Sequence, residues 1–107
     1  MPHYLIQAAY SPEALAALSK NPQDRAQAIA PVIEAAGGRI VDAYYSFGEY
    51  DIVCIVEMPD NVSAAAFAIA GGSSGSAKAM KTTPLLTIEE GLAAMQKSGS
   101  LGYQPPG

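Results

Sequence analysis

The apolar and polar positions of this chain fall into segments of period two and segments of period three to four. Residues 3–10, His-Tyr-Leu-Ile-Gln-Ala-Ala-Tyr, read as a strand. Ser11-Pro12 ends it and opens a helix: Ser11 can accept hydrogen bonds from free amides at the N-cap, and Pro12 suits the first helical position. Leu15 and Leu18 mark the apolar side of that short helix. Asn21-Pro22 repeats the start signal, and a second helical stretch to about Ala36 carries Ala26, Ile29, Ile33 and Ala36 on one face. Pro31 lies inside it and predicts a kink or a break, because it removes the amide that would bond Gln27. Gly37-Gly38 predicts a left-handed cap.

Residues 39–47 and 51–58 are rich in β-branched and aromatic side chains and predict a hairpin. Pro59-Asp60-Asn61 opens an alanine-rich helix to about Ala70, followed by Gly71–Ser76 as a flexible loop. Residues 77–83 form a fourth strand, stopped by Pro84. Thr87-Ile88-Glu89-Glu90 fits a capping box, and the helix it opens runs to about Lys97 with Ile88, Leu92 and Met95 inward. The order β-α-β-β-α-β-α contains the split βαβ pattern of a ferredoxin-like α+β domain with a four-stranded antiparallel sheet and an added C-terminal helix. One domain over residues 1–97 and a Gly/Pro-rich tail over 98–107 follow.

Strand parity adds a second expectation. Tyr4, Ile6, Ala8 and Tyr10 alternate with His3, Leu5, Gln7 and Ala9; Ile52, Cys54, Val56 and Met58 alternate with Val53, Ile55 and Glu57. Between these two, the strand over 39–47 divides into Val41, Ala43, Tyr45 and Phe47 against Ile40, Asp42, Tyr44 and Ser46. One set suits a helix-covered core. The other is still largely apolar, whereas the water-facing side of an antiparallel sheet is mostly polar. Leaving Leu5, Val53 and Ile55 in water would sacrifice ~1.5–3 kcal/mol each. A second copy of the chain is the expected cover, making a homodimer or a higher homo-oligomer.

Composition narrows the partners. The 107 residues carry a net charge of −4, and 50 % are hydrophobic. The six basic residues are scattered, which argues against nucleic acid and against a polybasic membrane patch. No apolar run approaches the ~20 residues of a membrane span. The N-terminus lacks the basic and apolar regions of a signal peptide, and the lone Cys54 has no internal disulfide partner, so a cytoplasmic location is expected.

The chemistry-bearing residues are few. His3, the only histidine, is the best general base or axial haem ligand available, with Gln7 and Tyr44 as expected neighbours. Asp51, in Gly48-Glu49-Tyr50-Asp51, fits a hairpin turn in which Gly48 supplies an unusual φ and the carboxylate bonds a nearby amide. The alternative places Glu49, Tyr50 or Asp51 at a pocket mouth or a partner subunit. His3, Tyr44 and Asp51 are therefore the catalytic candidates, and Gln7, Glu49, Tyr50, Glu57 and Lys81 the candidates for ligand or interface contacts. Cys54 reads as a buried core thiol. One His and one Cys cannot build a His/Cys zinc site within a subunit, so no metal is expected, nor any intrinsic cofactor. The Gly71–Ser76 loop lacks the lysine of a phosphate-binding loop, and no Gly-x-Ser-x-Gly element occurs.

The chain resembles the GYD-domain family. The resemblance is carried by Tyr4-Leu5-Ile6 with Tyr10, Asn21-Pro22-Gln23-Asp24-Arg25, Gly37-Gly38, Phe47-Gly48-Glu49-Tyr50-Asp51, Pro59-Asp60 and Lys81-Thr82-Thr83-Pro84-Leu85-Leu86. That family comprises small proteins of unassigned function, and the resemblance implies membership of the dimeric α/β-barrel group of ferredoxin-like folds. In that group two sheets pack face to face and often enclose a ligand pocket. The expected role is an oligomeric small-molecule-binding or assembly protein taking a small apolar ligand. The alternative is a cofactor-independent monooxygenase- or isomerase-like enzyme, with its site between helices and sheets or at the dimer interface.

Overall fold

A computed structural model describes residues 1–107. Its elements are β1 (His3–Tyr10), α1 (Pro12–Lys20), α2 (Arg25–Ala35), β2 (Arg39–Tyr45), β3 (Ile52–Glu57), α3 (Asn61–Ser73), β4 (Ala77–Leu85) and α4 (Ile88–Ser98). The four strands form one antiparallel sheet in the order β2-β3-β1-β4. This is the ferredoxin-like α+β arrangement, with the fourth helix appended.

The caps hold the expected local chemistry. Ser11 Oγ accepts the Ala14 amide, and Thr87 and Glu90 exchange both bonds of the capping box. At the end of α2, Gly38 N–H donates to the Ile33 carbonyl and Gly37, at φ +90°, donates to Glu34. That pair of bonds is a Schellman motif and needs the left-handed glycine. Gly38 is needed for room: a Cβ there would collide with the Glu57 carbonyl oxygen and stand 2.7 Å from Met58 Sδ.

Several boundaries differ from expectation. Asn21 does not start the second helix; its amide donates to Ala17 and closes α1. The N-cap is Asp24, whose carboxylate accepts the Gln27 amide. The helix runs through Pro31 unbroken, with Pro31 and Gln27 both on the exposed side where water can satisfy the freed carbonyl. Gly71 and Gly72 belong to α3, which continues to Ser73. A Cβ at Gly71 would stand 2.7 Å from Met80 Sδ, so the glycine lets the end of the helix close onto β4. Pro84 lies within β4, as an edge strand permits. In β2 the register shifts between Ile40 and Asp42. Ile40 and Ala43 therefore both face the core, and Val41, which parity had placed beside Ala43, is exposed.

The core sits between the sheet and α2 and α3. Tyr4, Ile6, Ala8 and Tyr10 of β1 meet Ile52, Cys54 and Val56 of β3, with Met58, Ile33 and Ala64 completing the cluster. The opposite face of the sheet carries no helix. Leu5, Val53, Ile55 and Leu85 are half-buried there by their strand neighbours alone. The fourth helix departs furthest from expectation. Ile88, Leu92 and Met95 are 84 %, 55 % and 70 % exposed, and α4 makes no extensive contact with any other element. The core side of the sheet is already taken by α2 and α3, so the apolar stripe of α4 faces solvent. The radius of gyration is 16.9 Å, against about 13 Å for a compact chain of this length.

Candidate functional site

Helix α2 packs over β2 at one edge of the sheet and α3 over β4 at the other. The two helices make no extensive contact with each other. Near Met58 and Ile33 the gap closes, and both residues are fully buried. Toward the Tyr10 end it stays open as a cavity of about 320 Å³. Its floor is Ile6, Ala8, Ile52, Cys54, Ala77 and Met80; its walls are Ile29 and Val32 of α2 and Phe67, Ala70 and Gly71 of α3. Eleven of its fifteen lining residues are hydrophobic, the composition of a small-molecule pocket. The cause is legible in α3. Past Phe67 it offers the cavity only Ala70 and Gly71, which are too short to bridge the space to α2.

Polar groups gather at the wide end. Arg25, the first residue of α2, lines the cavity together with Tyr10, Ser74 and Ser76. The start of α2 is fixed by Tyr45, whose hydroxyl accepts the Arg25 amide at 2.8 Å and donates to the Gln23 carbonyl at 2.7 Å. Tyr10 is held from below, its amide donating to Asp51 Oδ2 at 2.8 Å. Burial, then the neighbouring Tyr45, raise the Tyr10 phenol above its ordinary pKa, and the Arg25 guanidinium opposes them. The phenol therefore keeps its proton and can donate. Burial likewise raises the Cys54 thiol, so it lines the cavity as a neutral, unreactive group.

The residues singled out from the sequence lie elsewhere, mostly on the open sheet face. His3 stands beside Glu57, with Nε2 3.3 Å from Oε1, rather than beside Gln7 and Tyr44. Arg39 completes that row, its Nε 2.8 Å from Glu57 Oε2. Tyr44 donates to Asp42 Oδ2 at 3.0 Å, which raises its pKa. Asp51 is at the opposite end of the sheet from His3: its amide donates to the Ala8 carbonyl and its carboxylate accepts from Tyr10. His3, Tyr44 and Asp51 are thus not brought together. Gln7, Glu49, Tyr50 and Lys81 do converge, lining with Ser46, Phe47 and Val53 a concavity of about 430 Å³. Phe47, at the tip of the turn, is wholly exposed. A third, wider concavity of about 1010 Å³ lies between the N-terminus, the start of α3 and the start of α4. No three His, Cys, Asp or Glu side chains converge as metal ligands. No helix is long and apolar enough to cross a membrane.

Sequence reasoning missed Arg25 and Tyr10 as site residues. Tyr10 read as core, and Arg25 as one of six scattered cations. The available signal was the alanine content of α3, whose short side chains do not by themselves place a gap between helices.

Comparison with known proteins agrees with the fold. A family model described as GYD domain matches residues 4–95. The crystal structure of FFRP-DM1 aligns with a TM-score of 0.50 at 16 % identity, covering 80 % of this chain and 100 % of that one. A hypothetical protein, PHS023 from Pyrococcus horikoshii, aligns with a TM-score of 0.50 at 16 % identity, covering 81 % of this chain and 92 % of that one. At that identity the likeness establishes the fold alone. No curated protein matches the sequence.

Proposed function

The chain belongs to the GYD-domain family, and from that premise we propose that it works as a homo-oligomer that binds a small apolar molecule. The observation that carries the binding is the apolar cavity between α2, α3 and the sheet, left open where the helices do not meet. A void of this size lined by side chains has lost their dispersion contacts, and an apolar occupant would restore them. The volume lies at the lower end of ligand pockets, about 300–1,000 Å³.

Two features support association. The helix-free sheet face presents Leu5, Val53 and Ile55 flanked by the Arg39–Glu57–His3 row and by Lys81. Helix α4 has eleven residues, too few to hold a helix in water without tertiary packing, and its own domain supplies almost none. A second copy covering both would explain why the sequence keeps them apolar. An enzymatic role for His3, Tyr44 or Asp51 draws no support from their separated positions.

Native mass spectrometry of the purified protein tests the binding. The expected spectrum contains a small-molecule adduct that is lost on denaturation. Bare chains together with failure of any small apolar probe to bind would contradict it.

A further inference from the structure

The wide end of the helix-side cavity carries a feature the apolar reading leaves unused. Arg25 lines the cavity, yet its guanidinium makes no ion pair; it donates to the neutral Gln23 Oε1 at 3.1 Å. No Asp or Glu lines the cavity. The nearest carboxylate in sequence, Asp24, is committed to the Gln27 amide. Tyr10 lines the same cavity, and the guanidinium opposes the rise of its phenol pKa. An uncompensated cation and a phenol donor therefore meet at one end of an otherwise apolar slot. A guanidinium is matched in geometry to a carboxylate, which it can grip with two parallel N–H donors.

Resting on the cavity reading above, we propose that the ligand is a small amphiphilic carboxylate. Its acid group pairs with Arg25 and Tyr10, and its apolar body lies over Ile6, Cys54 and Met80. The cavity holds the volume of about ten water molecules at ~30 Å³ each, so the ligand has on the order of ten non-hydrogen atoms. Arg25 is itself only half-buried, so the paired acid stays partly hydrated.

The test is calorimetric titration of the intact protein with octanoate and with octan-1-ol, which share a chain and differ in the charged group. Octanoate is expected to bind at least tenfold more tightly. Arg25→Gln should bring octanoate down to the affinity of octan-1-ol and leave octan-1-ol unchanged; Tyr10→Phe should weaken octanoate several-fold. Arg25→Gln keeps the backbone amide that Tyr45 accepts, so its fold is preserved. Ala70→Leu, which narrows the slot, should weaken both probes. Equal binding of the two probes, or octanoate affinity untouched by Arg25→Gln, would overturn the acid-group assignment while leaving the cavity standing. Octanoate binding unchanged in Ala70→Leu would place the site elsewhere and overturn the proposal. Failure of both probes to bind would remove the cavity reading as well.

Discussion

Replacing Asp51 with alanine tests what the turn motif is for. β3 begins at Ile52, opposite Ala8, so β1 runs on past the end of its partner. The Tyr10 amide then has no strand carbonyl on that side, and Asp51 Oδ2 takes its place at 2.8 Å. Asp51 also anchors the turn through its own backbone, donating to Ala8 and accepting from Ser46. Those backbone bonds survive Asp51→Ala; the carboxylate bond does not. A hydrogen bond to a charged group contributes about 1.5–3 kcal/mol, and an amide left unpaired in a buried residue costs about 1–3 kcal/mol. Tyr10 is only 9 % exposed, so water reaches its amide poorly. The expected loss is about 2 kcal/mol, or roughly 8–16 °C in Tm for a domain of this size. Asp51→Asn, which keeps an acceptor oxygen, should lose less. Chemical denaturation followed by circular dichroism measures both. A variant Asp51→Ala within about 0.5 kcal/mol of wild type would refute the reasoning and return Asp51 to the catalytic candidates.

Gly38→Ala should destabilise by about 3 kcal/mol, the upper part of the overpacking range, because the group in the way is the backbone carbonyl of Glu57 and cannot rotate aside; a neutral result in denaturant melts would contradict the close approach. Thr82→Val should hold or raise stability by up to about 1 kcal/mol, since Thr82 Oγ1 is buried without a partner; a clear loss would mean that the hydroxyl has a role. Asp60 caps α3, and its bond to the Ser63 amide lowers its pKa in the folded protein. Its contribution is therefore present above the unfolded value of about 3.9 and fades as pH falls through the lowered folded value. Wild type should exceed Asp60→Asn in Tm at pH 5 and lose that advantage toward pH 2; a difference independent of pH would contradict the assignment.

What the sequence made legible is what local hydrogen bonds decide. Ser11, Thr87 with Glu90, and Gly37-Gly38 each satisfy amides or carbonyls within a few residues, so their caps follow from spacing alone. Asn21-Pro22 misled because an Asn serves either end of a helix, and here its amide closes α1 while Asp24 opens α2. The shift at Val41 depends on how β2 pairs with β3, which strand parity does not encode. Pro31 and Pro84 predict breaks by residue type, but their cost depends on whether the missing amide faces water or a sheet edge. The stripe on α4 was legible as amphipathic; its partner was not, since the periodicity of a helix says that a face is to be covered and not by what. The cavity lay beyond reach for the same reason. It lies between two helices far apart in sequence that do not meet, and neither Arg25 nor Tyr10 carries a motif.

The chain leaves two apolar surfaces uncovered, the sheet face around Leu5, Val53 and Ile55 and the stripe of α4. Sedimentation equilibrium in dilute neutral buffer tests this most directly. It should return a mass that is a whole multiple, twofold or greater, of the 11.0 kDa chain, and Ile55→Asp should drive that mass toward a single chain. A wild-type protein that sediments as single chains at every concentration would contradict the account.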